Sequence, residues 1–258
     1  MLKLNNDNYY SQEASIDYFS NSQLKDFCKC EAFALAKIRG EWTEEPTKAR
    51  LIGSYVDSYF EGTLDNFKER YADKVFNKKG ELYADYKLAE KLISVIEPDE
   101  IFMLCLSGKK QVIMTGTILD IPFKIKMDSY IEHNAIVDLK CVKEIRDVIY
   151  KNSGRISFIE NNGYDTQLAI YQEIVRQNTG EVLDCVIAAV DKLEYPDKEC
   201  ILIPNDQLAF QLQLVKEKLP HFAAVKNGEI EPHRCGKCDY CRATKKIERL
   251  ILPQELIC

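Results

Sequence analysis

No apolar run in this 258-residue chain approaches the roughly 20 residues that a membrane-spanning helix requires, so such a helix is excluded. The first residues, Met1-Leu2-Lys3-Leu4-Asn5-Asn6, lack the apolar core of a signal peptide. The cytoplasm is therefore the expected compartment. A basic excess is missing too: 35 Lys and Arg stand against 41 Asp and Glu, a formal net charge of −6. Attraction to nucleic acid by the field of the whole molecule is thereby excluded, and any such contact needs a local basic track. Internal repeats and low-complexity linkers are absent as well, which favours one domain over a solenoid or an array.

What is present suits a globular protein. Hydrophobic residues make up 46% of the chain, and its length suffices for one large core or two small ones. Ten cysteines would suit a disulfide scaffold in a secreted chain, but six of them are scattered among apolar or helical patterns, as reduced thiols in the cytosol are.

Helical periodicity dominates the first hundred residues. Ser22 caps a helix that carries Leu24, Phe27, Phe33, Ala34 and Ile38 and closes at Gly40. Ala49 to Phe60, Tyr83 to Ile96 and Glu100 to Leu106 follow the same spacing. The period then shortens. Gln111 to Met114, Thr117 to Leu119, Phe123 to Met127 and Ala135 to Leu139 read as four strands, separated by Gly116, Ile121-Pro122 and His133-Asn134. Helices return over 142–150, 165–176 and 206–226, with strands at 186–190 and 200–203 between the last two. The expected fold is α/β, a mixed central sheet flanked by helices, in a single domain over 1–258. Its N-terminal helical segment covers about 1–107 and its Cys-rich C-terminal segment about 230–258.

Two of these strands carry chemistry. Asp128 follows Phe123 to Met127, and Asp138 and Lys140 lie two apart on the next strand, on one face of it. Two carboxylates and an ammonium at one sheet edge can hold a divalent metal and orient a water beside it, as phosphodiester hydrolysis requires. A metal ligand at a strand end is expected to be little used in packing. Downstream, Gln167 and Tyr171 are four apart and project from one face of the 165–176 helix. Lys124 and Lys126 alternate with Asp128 and supply a candidate DNA track. Cys235, Cys238 and Cys241 have C-x-x-C-x-x-C spacing, which lets three thiolates curl around one metal centre. Candidates for its fourth ligand are Cys30, Cys28, Cys258 and His233.

Asp128 with Asp138-Leu139-Lys140 resembles the core of the PD-(D/E)xK nucleases. The Gln167/Tyr171 spacing about thirty residues later resembles the signature helix of their RecB-like branch. Gly53 followed by Asp57 occupies the place where that branch carries a glycine and, four residues on, a histidine ligand. Here Asp57 takes that place, and a carboxylate is an equally suitable hard ligand for Mg²⁺ or Mn²⁺. The segment Ser22 to Cys30 is similar to the N-terminal part of the iron–sulfur staple in such nucleases, which implies Cys30 as fourth ligand. A [4Fe-4S] cluster is then the implied occupant, with Zn²⁺ the alternative, because the last gap is shorter than is usual in the family.

The whole resembles a phage or prophage exonuclease of the RecE-like type. That resemblance implies Mg²⁺ or Mn²⁺ held by Asp57, Asp128, Asp138 and the Leu139 carbonyl. It implies that Lys140 positions and helps deprotonate the attacking water, and that Gln167 and Tyr171 orient the lysine or the scissile strand. The implied partners are linear duplex DNA ends and a single-strand annealing protein, in a protein free of the membrane that can form oligomers. Two other classes stay open: a nonenzymatic DNA-end-binding recombination module, and a structural zinc protein whose acidic pair is incidental.

Overall fold

A computed structural model describes residues 1–151, 154–247 and 249–256. Its helices before the first strand are α1 (Gln12–Asp17), α2 (Asn21–Lys29), α3 (Glu31–Ile38), α4 (Lys48–Phe60), α5 (Leu64–Arg70), α6 (Ala72–Val75), α7 (Ala84–Ile96) and α8 (Glu100–Cys105). Strands β1 (Val112–Ile118), β2 (Ile121–Met127), β3 (Ser129–Ile131), β4 (Ala135–Val142), β5 (Ile149–Lys151) and β6 (Gly154–Ile156) follow. Then come α9 (Phe158–Asn162), α10 (Tyr164–Thr179), β7 (Asp184–Asp191), β8 (Lys198–Ile203), α11 (Asn205–Asn227) and α12 (Asp239–Ala243). Where the sequence suggests one domain, the chain divides into two compact units: residues 1–21 with 44–218, and residues 22–43 with 219–258.

The larger unit is organised by a four-stranded sheet in the order β3-β4-β7-β8. β3 and β8 run antiparallel to their neighbours, while β4 and β7 are parallel, so the sheet is mixed. Parallel neighbours need a crossover, and α9 and α10 provide it. β4 alternates: Val137 and Leu139 pack into a core with Tyr55 and Val56 of α4, Leu92 and Ile96 of α7, and Phe102 of α8. Asp138, on the opposite face, meets α10. Helices thus cover both faces, as a buried parallel pair requires. β1 and β2 form a separate hairpin on which α10 also packs.

Three departures from the sequence reading have identifiable causes. β1 runs unbroken through Gly116, the expected breaker; a Cβ there would meet Gln177 Oε1 at 2.5 Å and Ile174 at 2.9 Å. The glycine lets α10 approach rather than turning the chain. The helix expected over 142–150 does not form. Instead β4 continues to Val142, and the buried Asp191 carboxylate accepts N–H groups from Ile145, Leu193 and Asp197 at 3.3, 3.3 and 2.9 Å. A buried carboxylate satisfied by three backbone donors outweighs weak helical periodicity.

The third departure lies in the smaller unit, where the helix expected from Ser22 to Gly40 breaks at Cys30, which is extended (φ −167°, ψ 113°). The break is held from outside: the Ala32 N–H donates to the His233 carbonyl, and Glu31 accepts the His233 N–H at 2.8 Å and pairs with His221.

Candidate active site

Asp128 occupies the bend between β2 and β3. The register pairs Ser129 with Val137, and one residue further it sets Asp128 opposite Asp138. The Leu139 N–H donates to Asp128 Oδ2 at 3.1 Å, fixing that carboxylate against β4. Asp138 is 2% exposed, and its Oδ2 lies 2.5 Å from Lys140 Nζ. Its other oxygen accepts the Gln167 amide at 2.8 Å. Gln167 also donates to the Tyr171 hydroxyl at 3.2 Å, and that hydroxyl donates to the Lys126 carbonyl at 3.0 Å. The helix pair therefore holds the carboxylate and β2, not the lysine. Asp138 is also heavily used in packing, contrary to expectation, because β4 is interior to the sheet.

Asp57 projects from α4 into a cavity of about 370 Å³ that it lines with Asp128, Glu61, Tyr10, Gln111 and Lys126. Glu61, the C-cap of α4 four residues after Asp57, joins it in this lining, a placement that the i, i+4 spacing signals. Tyr10 and Tyr164, whose ring lies 5.2 Å from the Lys140 ammonium, left no such signal.

The electrostatics follow from this crowding. Desolvation, and then the charge of Asp138, push the Asp128 carboxyl up to about 7. Asp57 is held well above the ordinary carboxylate range by desolvation and by the charge of Asp128. Burial pulls the Lys140 ammonium down, but Asp138 and Asp128 outweigh it and keep the group above its ordinary value. Two carboxyls that resist ionisation, Asp57 and Asp128, beside the buried Asp138 carboxylate, form an oxygen donor set that fits a hard divalent cation.

The two lysines of the candidate DNA track part company. Lys126 lines the cavity, its ammonium 5.2 Å from the Tyr10 ring. Lys124 is 4% exposed and donates to the Tyr9 carbonyl at 2.6 Å, and burial pushes its ammonium down to about 8. It is not presented to a phosphate. The cause is the N-terminal segment, which lies along β2 with Phe19 bridging to Phe123.

In the smaller unit the sulfurs of Cys30, Cys235, Cys238 and Cys241 lie within 4.8 Å of one another, a grouping that could hold a metal ion. The break at Cys30 brings its thiol to 3.5 Å from that of Cys241. Cys235 Sγ accepts the N–H groups of Lys237 and Cys238 at 3.4 and 3.3 Å, which pull its thiol down to about 6. Gly236, at φ +71°, permits that turn. Cys28 is exposed and outside the group, and His233 meets it through its backbone, the carbonyl lying 3.8 Å from Cys30 Sγ. Cys258 lies outside the described residues.

A family profile described as a PDDEXK-like domain of unknown function (DUF3799) matches residues 20–244. No curated protein matches the chain. The crystal structure of a candidate exonuclease from Eubacterium rectale aligns with a TM-score of 0.96 and 46% identity, over 99% of this chain and 98% of that one. The structure of SSO0001 aligns over 77% of this chain and 84% of that one, but its 14% identity and TM-score of 0.32 are too low to inform the fold. With its mixed sheet flanked by helices and a profile match over most of its length, the chain belongs to the PDDEXK-like family.

Proposed function

We propose that the protein is a metal-dependent exonuclease that degrades linear duplex DNA from its ends. Like the RecE-like enzymes it resembles, it would leave a single-stranded tail for an annealing protein. The observation that carries this reading is the meeting of Asp128 with Asp138 and Lys140 of the interior strand β4, with Gln167 and Tyr171 of α10 behind them. The similarity to a candidate exonuclease supports it.

Asp128 and Asp138, with Asp57 and the Leu139 carbonyl, would hold Mg²⁺ or Mn²⁺. Such an ion supplies Lewis-acid polarisation of the phosphodiester and lowers the pKa of water. Lys140, kept as an ammonium by Asp138 and Asp128, orients a water and offsets charge developing on the phosphate oxygens. It donates hydrogen bonds and does not act as the base. Gln167 fixes the Asp138 carboxylate, and Tyr171 anchors β2 beneath it. Lys126 is the cation of the pair available to the DNA backbone.

An assay with end-labelled linear and covalently closed circular duplex in Mg²⁺ tests the reading. Nucleotides should be released from the linear form only, and chelation should stop the release. Equal digestion of both forms would indicate an endonuclease. Stable binding to ends without turnover would indicate a nonenzymatic module.

A further inference from the structure

The four-cysteine site has dimensions of its own. A tetrahedral zinc site with Zn–S bonds of about 2.3 Å sets each pair of sulfurs about 3.8 Å apart. In a four-iron cube each thiolate binds its own iron and points away from the centre, so the ligand sulfurs stand roughly 6 Å apart. Here all four sulfurs lie within 4.8 Å of one another, and Cys30 and Cys241 are 3.5 Å apart. A cube could enter only by parting every pair by an ångström or more, whereas a single ion fits with smaller shifts.

The surroundings resist such an expansion. Cys30 and Cys241 are 2% and 3% exposed and pack with Ala32, Phe33, Trp42 and Tyr240. Cys238 caps α12 by accepting the Cys241 N–H at 3.4 Å, which ties these two sulfurs to one short helix. Cys235 is tied to the preceding turn by its two N–H donors.

We propose that this site binds one zinc ion, in place of the iron–sulfur cluster implied by the RecB-like resemblance, and that the ion joins residues 22–43 to the segment beginning at Leu219. The inference is independent of the nuclease reading. Its chemistry is that of a closed structural site: four thiolates complete the tetrahedron and leave no position for substrate.

The chain's single tryptophan, Trp42, packs against the thiols with its ring 5.6 Å from that of Tyr240, so its emission reports on this site. The test uses full-length protein prepared anaerobically from cells supplied with both iron and zinc. Expected are one zinc per chain, no iron or acid-labile sulfide, and no absorption near about 400 nm. A strong chelator should shift Trp42 emission to the red, and added zinc should restore it. Cobalt in its place should give the visible ligand-field bands of a tetrahedral thiolate site.

Cys28→Ser should keep full zinc, and Cys30→Ser should bind it at least tenfold more weakly. If Cys30→Ser does not fold, chelator competition on the unaltered protein, read through Trp42, decides. Iron and sulfide in matching amounts overturn the proposal. So does a protein that takes up no zinc, or one that carries zinc while all four thiols react freely with an alkylating agent.

Discussion

Asp57, Asp128 and Asp138 are held together against their own repulsion, whereas Cys30, Cys235, Cys238 and Cys241 sit among backbone donors aimed at two of their sulfurs. In the larger unit, desolvation and like charge push Asp57 and Asp128 toward their protonated forms. In the smaller unit, N–H groups draw the Cys235 thiol toward thiolate. Burial pushes the thiols of Cys30 and Cys238 the other way, so the sulfur site too holds groups kept from ionising, but beside backbone donors that the oxygen site lacks at Asp57. On the readings proposed above, metal would relieve the crowding at the first site and would add stability by closing the second.

The sharpest way to break this contrast is Asp138→Asn, which keeps the shape of the side chain and removes its charge. Turnover should fall by about 10³-fold or more, with the far-ultraviolet spectrum unchanged. Activity within tenfold of the unaltered protein would remove Asp138 from the site. Alanine is the poorer probe, because it strands the Lys140 ammonium and the Gln167 amide in a buried place.

Lys140→Ala should lower turnover by about 10²-fold and leave Mg²⁺ affinity, measured calorimetrically, within a few-fold. Loss of metal binding alone would contradict its role as a donor to the phosphate.

Asp128→Asn sharpens the comparison on the stability side. The carboxyl titrates at about 7 in the folded chain against 3.8 for an unperturbed group, so the folded state holds the extra proton between those values. Stability from this group is fully present below about pH 4 and is lost as pH rises through about 7. Asp57 contributes in the same direction. The metal-free variant should therefore melt several degrees higher at pH 8, with a gain of about 1 kcal/mol or more, while losing activity. Mg²⁺ should raise the melting temperature of the unaltered protein at pH 8 but not at pH 4. A melting curve of the metal-free protein that is flat from pH 4 to 8 would refute that crowding.

The smallest effect separates the two lysines of β2. Lys126→Ala should reduce the slope of log affinity against log salt for DNA by about one. Lys124→Ala should leave that slope unchanged, since its ammonium is committed to Tyr9. Equal changes in both would mean that the N-terminal segment leaves β2 when DNA binds.

What the sequence made legible was chemistry at short range. Asp138-x-Lys140, Gln167 with Tyr171, and the three C-terminal cysteines each place side chains by the period of one strand, helix or turn. Asp128 opposite Asp138 was readable because one hairpin joins them. What was hidden depended on distant partners. Lys124 alternates with Lys126 as any strand pair does, and only the covering by Tyr9 and Phe19 distinguishes them. The helix expected over 142–150 was lost to a carboxylate some forty residues away. The break at Cys30 answers to His233.

The order of segments in the smaller unit sets a timetable for synthesis. Residues 22–43 leave the ribosome well before their partners, which begin at Leu219. At typical elongation rates the Cys30 thiol is made roughly 10 to 40 s before Cys235 exists. Every acid of the candidate active site is polymerised in that interval, so the larger unit can begin to pack while Cys30 still waits. A chain that terminates early would carry the acids and the lysine but no means of closing its smaller unit. Nascent chains would then present an unsealed thiol and apolar helices to chaperones and proteases until Cys241 arrives.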